Sequence, residues 1–175
     1  MNMADSSPKN KDKETIAVLC VGNKLMLDDG IGPAVYEEIT TRYDIPCGVD
    51  FFDMGCMSMD MISWVNNYDF MISVDAVDGT DEAPGTVFRY EPHDIARTSS
   101  PYTSLHELKL ADLFDAASLL GYECAGICYG MQIDNMSPAE FVVGLTPAVH
   151  DRLDYLVECI VAELDRHGYV LTPKA

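Results

Sequence analysis

Ile16-Ala17-Val18-Leu19-Cys20-Val21-Gly22-Asn23-Lys24-Leu25-Met26-Leu27-Asp28-Asp29-Gly30-Ile31-Gly32-Pro33 decides the fold. Its first six residues form a continuous apolar run ended by Gly22-Asn23, the pattern of a strand buried on both faces of a parallel sheet. Gly32-Pro33 then opens a helical pattern in which Ile31, Val35 and Ile39 recur four residues apart, with proline suited to the first turn. The alternation repeats downstream. Val49 to Phe52 reads as a second short strand ended at Asp53. Ser58 to Tyr68 carries Met61, Ile62 and Val65 at helical spacing, and Phe70 to Val74 reads as a third strand ended at Asp75.

Thr86 to Tyr90 alternates like an edge strand or hairpin arm after the Pro84-Gly85 turn. Residues 91 to 103 read as an irregular polar loop. Ser104 and Glu107 form a capping box that opens a helix to about Leu120. Ala125 to Met131 gives another strand, and Asn135 to Gly144 a long loop. Thr146 caps a final helix with Pro147 at its first position. That helix buries Val149, Leu153, Leu156, Val157, Ile160, Val161 and Leu164 and stops at Gly168. There is no internal repeat. Strands alternating with helices predict an α/β fold, a three-layer sandwich on a mostly parallel, twisted central sheet of the phosphorylase/hydrolase-like kind. Residues 1–14 read as a disordered tail, and residues 15–170 as a single domain.

The chain of 175 residues suits one domain of ordinary size. Such a domain buries roughly 70% of its unfolded surface and needs no structural metal or disulfide. Asp and Glu number 29 against 11 Lys and Arg, a formal charge of -18 that repels phosphate backbones and anionic lipid heads. Nucleic acid and membrane are therefore not expected as partners. No apolar run approaches the roughly 18 residues of a spanning helix, and the polar start resembles no secretory signal, so a cytoplasmic protein is expected. The six cysteines contain no C-x-x-C pair, and reduced thiols are expected.

The acids fall in a pattern. The first strand leads to Asp28-Asp29, the second ends at Asp53 and the third at Asp75. Parallel strands present these ends on one edge, beyond which ligands of such folds bind. Each acid alone is an ordinary turn residue; three strand ends together point to a cleft. A nucleotide is not expected there. Gly22 is followed by seven residues before Gly30-Ile31-Gly32, too far for a dinucleotide fingerprint, and two acids would oppose a pyrophosphate at the helix entrance. No Gly-x-Ser-x-Gly elbow occurs, and His106-Glu107-Leu108-Lys109-Leu110 lacks the second histidine of a zinc-protease helix. His106 falls in the first turn of its predicted helix, where the dipole favours neutral imidazole available to a metal. Position alone fits an inert exposed histidine equally well. His93 lies in a turn and reads as a surface residue.

The ordered set resembles the [NiFe]-hydrogenase maturation endopeptidases: Gly22-Asn23 through Asp28-Asp29-Gly30-Ile31-Gly32, then Asp53, Ser73-Val74-Asp75-Ala76, Ala83-Pro84-Gly85-Thr86, Ser104-Leu105-His106-Glu107-Leu108 and Gly144-Leu145-Thr146-Pro147-Ala148-Val149. The match runs from residue 16 to 168. The resemblance implies an aspartic-type endopeptidase and enzyme activator that cuts a C-terminal extension from the hydrogenase large-subunit precursor after nickel insertion. It implies Asp29, Asp75 and His106 as metal-binding residues. Nickel would arrive already held by the precursor, and these residues would complete its coordination. The metal could polarise the scissile carbonyl or acidify a water, or a carboxylate could act as general base, with Asp53 the candidate. Met54-Gly55-Cys56 departs from the family's common Gly-Gly-Thr. A non-catalytic nickel-binding chaperone or sensor using the same acid/His cluster is the alternative.

Overall fold

The computed structural model describes residues 13–55, 62–91, 110–122, 124–135 and 138–174. Five strands form the central sheet: β1 (Ile16–Val21), β3 (Val49–Gly55), β4 (Phe70–Val77), β5 (Val87–Tyr90) and β6 (Ala125–Gln132). Their order is β3-β1-β4-β6-β5, parallel except for β5, which runs antiparallel along β6 at the edge. The remaining strands, β2 (Tyr43–Asp44) and β7 (Thr172–Pro173), pair as a separate antiparallel ribbon. With two residues each, neither carries enough alternation to be seen in sequence.

All six residues of β1 are buried, as its uninterrupted apolar run requires of a central parallel strand. Ile16, Val18 and Cys20 face one side, where α1 (Ile31–Arg42) contributes Ile31, Val35 and Ile39. On the same side α5 (Leu153–Arg166) contributes Leu156, Val157, Ile160 and Leu164. Ala17 and Leu19 face the other side with Met71, Cys128, Val65 of α2 (Ile62–Val65) and Ala117 of α3 (Leu110–Leu119). Burying each large aliphatic side chain is worth about 1.5–3 kcal/mol. Two separate apolar layers on one sheet make the three-layer sandwich.

The structure corrects several sequence boundaries. β3 and β4 do not stop at Asp53 and Asp75 but continue to Gly55 and Val77. Both acids lie inside a ladder, Asp53 opposite Cys20 and Asp75 opposite Gly130. Pairing with the eight-residue β6 carries β4 past an aspartate that by propensity would end it. The last helical stretch is two helices, α4 (Pro147–His150) and α5, because the Arg152 N–H bonds the Val149 carbonyl rather than the one four residues back. Thr146 precedes α4 but makes no side-chain cap bond. The tail at 1–12, the start of the predicted second helix, the 92–103 loop and the Ser104 capping box lie outside the described residues. Among the described residues no helix is long and apolar enough to cross a membrane.

Candidate active site at the carboxyl edge of the sheet

The chain leaves β1 for β3 on one side and then returns to β4 on the other, so β1 and β4 flank the point where the strand order reverses. The crevice beyond that point is where open α/β sheets bind ligands. The loop after β1 is built to deliver an acid to it. Gly22 has φ 137°, and a Cβ there would lie 1.9 Å from the Asp29 carbonyl oxygen. Only glycine lets residues 23–30 fold back so closely onto the strand end. The Asn23 N–H then donates to Asp29 Oδ2 at 2.9 Å, while Asn23 Oδ1 accepts from the Leu25 N–H at 3.0 Å. Gly32 completes the arrangement: a Cβ there would meet the Val21 carbonyl at 2.0 Å, so α1 starts hard against β1. The Gly-Asn and Gly-x-Gly ends of the quoted stretch are thus two close approaches that fix one carboxylate.

The adjacent acids have opposite settings. Asp28 is fully buried and accepts from the Asp134 N–H at 3.1 Å, the Asn135 N–H at 3.0 Å, the Thr146 N–H at 2.6 Å and the Thr146 hydroxyl at 2.9 Å. It ties the loop after β6 to the loop after β1. Asp29 is half-buried, and desolvation raises its pKa above the ordinary carboxylate value against the lowering effect of the Asn23 N–H. Thr146, expected to cap a helix, spends its hydroxyl on Asp28 instead. Sequence alone offered no signal for that partner 118 positions away.

Asp75 is half-buried near the end of β4, its Oδ1 accepting from the Ala76 N–H at 2.8 Å. Asp53 is exposed on β3, its Oδ1 accepting from the Gly55 N–H at 3.2 Å. All three strand ends share one edge, as expected. They do not share one face. Asp53 stands opposite Cys20, whose side chain faces α1 and α5, whereas Asp75 alternates with Val74 and Ala76 and so faces α2 and α3. β1 lies between them, a lateral spacing of roughly 10 Å. The edge therefore brings Asp29 and Asp75 to the reversal point and leaves Asp53 one strand out. His106 and His93 lie outside the described residues. Among the described residues no three His, Cys, Asp or Glu side chains converge to hold a metal ion.

A sequence model of the hydrogenase maturation proteases matches residues 33–163. The chain belongs to that family. The protease is 29% identical over 160 residues to the hydrogenase 2 maturation protease of Escherichia coli strain K12, spanning 91% of this chain and 96% of that one. It is 30% identical over 177 residues to the hydrogenase expression/formation protein HupM of Azotobacter chroococcum, spanning 98% of this chain and 79% of that one. The solved hydrogenase maturating endopeptidase HybD from E. coli superimposes with a TM-score of 0.81 at 29% identity, covering 91% of this chain and 98% of that one. The protease is accordingly an endopeptidase, a hydrolase of peptide bonds.

The two described cysteines nearest this edge are not built as nucleophiles. Cys20 beneath Asp53 and Cys128 beneath Asp75 are buried, with their thiol pKa values raised by desolvation and then by those carboxylates, Cys128 to about 12. A thiol so placed stays protonated and is a poor nucleophile. The described cysteines are free.

Proposed function

We propose that the protease removes the C-terminal extension of a [NiFe]-hydrogenase large-subunit precursor after nickel insertion, in the cytoplasm, and so activates that hydrogenase. What supports this reading is the loop of residues 22–30, which folds back to hold the Asp29 carboxylate at the end of β1, the strand next to the β4 that carries Asp75. Two carboxylates and one imidazole, that of His106, suit a borderline divalent ion and leave positions for the ligands it brings with it. Nickel is part of the substrate here and no private ion is required. The half-buried setting that makes Asp29 reluctant to ionise alone favours a cation beside it.

Hydrolysis adds water across the scissile amide: the carbonyl carbon gains an oxygen, the C–N bond breaks, and a proton passes to the leaving amine. Asp53 takes the general-base role in this proposal, reaching the substrate from the β3 side of the edge. The non-catalytic chaperone or sensor is not favoured, since the family is one of proteases.

Incubation with nickel-loaded precursor, followed by intact mass, tests the reading. Loss of one C-terminal peptide from the loaded but not the nickel-free precursor is expected. An unchanged mass for both would overturn it. Asp53→Asn is expected to lower kcat without loss of nickel-dependent recognition; an unchanged kcat would remove Asp53 from the chemistry.

A further inference from the structure

Beside the Asp28–Asp29 loop, the segment after β6 presents Phe141 at 79% and Val143 at 73% exposure, with Val142 at 39% and Leu25 at 43% next to them. Large apolar residues gathered this openly need a reason. These are not on a loosely tethered loop. Val142 forms a parallel bridge with Met26: its N–H donates to the Leu25 carbonyl at 3.0 Å and its carbonyl accepts from the Leu27 N–H at 2.9 Å. Leu27 adopts a left-handed backbone, φ 53°, to enter that bridge, and such a residue persists only where its surroundings impose it. Asp28 locks the other side of the same two loops through its bonds to residues 134, 135 and 146. The apolar side chains are held out by a rigid platform.

The bridge also leaves an edge. Because Val142 turns both its backbone groups inward, the N–H and C=O groups of Phe141 and Val143 face away from Leu25 to Leu27, and they have no backbone partner among the described residues. An extended peptide can add to such an edge, its main chain supplying the hydrogen bonds and its side chains meeting the apolar ones. Charge limits which peptide fits. Residues 141–149 contain no acid or base within a chain of net charge -18, while Asp134 and Glu140 flank the segment on the surface.

We infer that Leu25, Phe141, Val142 and Val143 form the docking strip for the substrate, capturing in extended form an apolar, acid-free segment of the precursor near its scissile bond. This rests on the proposed precursor cleavage and adds to it where the polypeptide lies. Capture at the strip leads the chain onto the same rigid loop pair that carries Asp29, so binding and positioning are one event. The strip stands on the carboxyl edge because β1 and β6 both end there.

The test uses the full-length protease and nickel-loaded precursor at varied concentration. The double variant Phe141→Ser/Val143→Ser is expected to raise KM at least tenfold with kcat within twofold of the parent. Leu119→Ser is the control, since Leu119 is 90% exposed at the end of α3, which leads into the opposite edge of the sheet; its KM should not change. A double-variant KM within twofold of the parent, a fall confined to kcat, or an equal rise in Leu119→Ser would each overturn the docking strip while leaving the cleavage reading intact. Failure of the parent protease to cut loaded precursor would overturn both. Unchanged thermal melting shows that the double variant is folded; should it unfold, Phe141→Gln alone, held to the same KM criterion, replaces it.

Discussion

At the carboxyl edge, Asp28 gives its two oxygens to three backbone N–H groups and one hydroxyl, with no cation among those partners. On the α1/α5 side of the sheet, Glu163 is also buried, but its donors are charged: Arg89 through Nε at 3.0 Å and Nη2 at 2.8 Å, Arg166, and the Tyr129 hydroxyl at 2.7 Å. Arg89 and Tyr129 face each other across β5 and β6, so Glu163 clamps the edge strand to α5. The two carboxylates solve burial differently. Asp28 organises the loops of the proposed site, whereas Glu163 pins a border of the scaffold. Removing the first should damage catalysis and folding together; removing the second should damage folding alone.

The sharpest break between the regions is expected one residue from Asp28. Asp29→Asn should lower cleavage of loaded precursor by orders of magnitude, about tenfold for each 1.4 kcal/mol of lost transition-state stabilisation. Folding should not suffer, because Asn can still accept from the Asn23 N–H. The pKa of Asp29 is raised in the folded protein. The unfolded chain therefore loses this proton first as pH rises, and stability falls from the ordinary carboxylate range up through the raised folded value. The substitution removes that slope. Denaturant unfolding at pH 4 and pH 7 checks it, and a neutral-pH stability below the parent's would mean that Asp29 supports the fold.

Asp28→Ala comes next. It takes the acceptor from the N–H groups of Asp134, Asn135 and Thr146 and should cost about 1–3 kcal/mol, since the exposed residues 134 and 135 can turn to water while the half-buried Thr146 cannot do so freely. At a temperature where the variant is folded, kcat should fall and KM rise, since both Asp29 and the loop of residues 134–146 lose their anchor. A stable variant with parental kinetics would erase the distinction between the regions.

How much of this could be read from the residues follows from the range of each interaction. The sheet was legible because a buried parallel strand announces itself as an unbroken apolar run, and β1 is buried at every residue. The acids' common edge was legible because parallel strands all end on the same side. The division of Asp53 and Asp75 between faces was not, since their strands ran on past the point where each aspartate suggested a stop. Asp28 passed for the lesser half of an acid pair because its partners lie more than 100 positions away. The Arg89–Glu163 contact spans 74 positions with no local periodicity to mark it. His106 falls outside the described residues, so its assignment continues to rest on the family resemblance.

The scaffold clamp gives a purely structural effect. Glu163→Gln should lower stability at neutral pH by about 1.5–3 kcal/mol, the range for a hydrogen bond to a charged group, while kcat and KM stay parental at 25 °C. The Arg89 guanidinium, followed by Tyr129, holds the Glu163 pKa down to about 2 from 4.5. A depressed acid stabilises the fold above its unfolded pKa and loses that contribution as pH falls from 4.5 through about 2. Acid unfolding of the parent should therefore steepen in that window and that of Glu163→Gln should flatten. A loss of cleavage at neutral pH by a fully folded Glu163→Gln would join the two regions functionally.

The smallest expected effect is that of Thr146→Val, and it decides what the hydroxyl does. As a helix cap its loss would cost about 1 kcal/mol whatever stands at position 28. As a donor to Asp28 it would cost a similar amount, but only while the carboxylate is there to accept. A double-mutant cycle with Asp28→Ala separates the two. We expect Thr146→Val to destabilise the parent by about 1 kcal/mol and the Asp28→Ala background by almost nothing, since the backbone N–H of Thr146 keeps its place in either residue and only the hydroxyl is removed. Equal losses in both backgrounds would return Thr146 to the capping role suggested by its place before Pro147 and leave Asp28 with three donors. A vanishing loss in the second background would fix the hydroxyl as part of the clamp that joins the loop after β6 to the acid-bearing loop after β1.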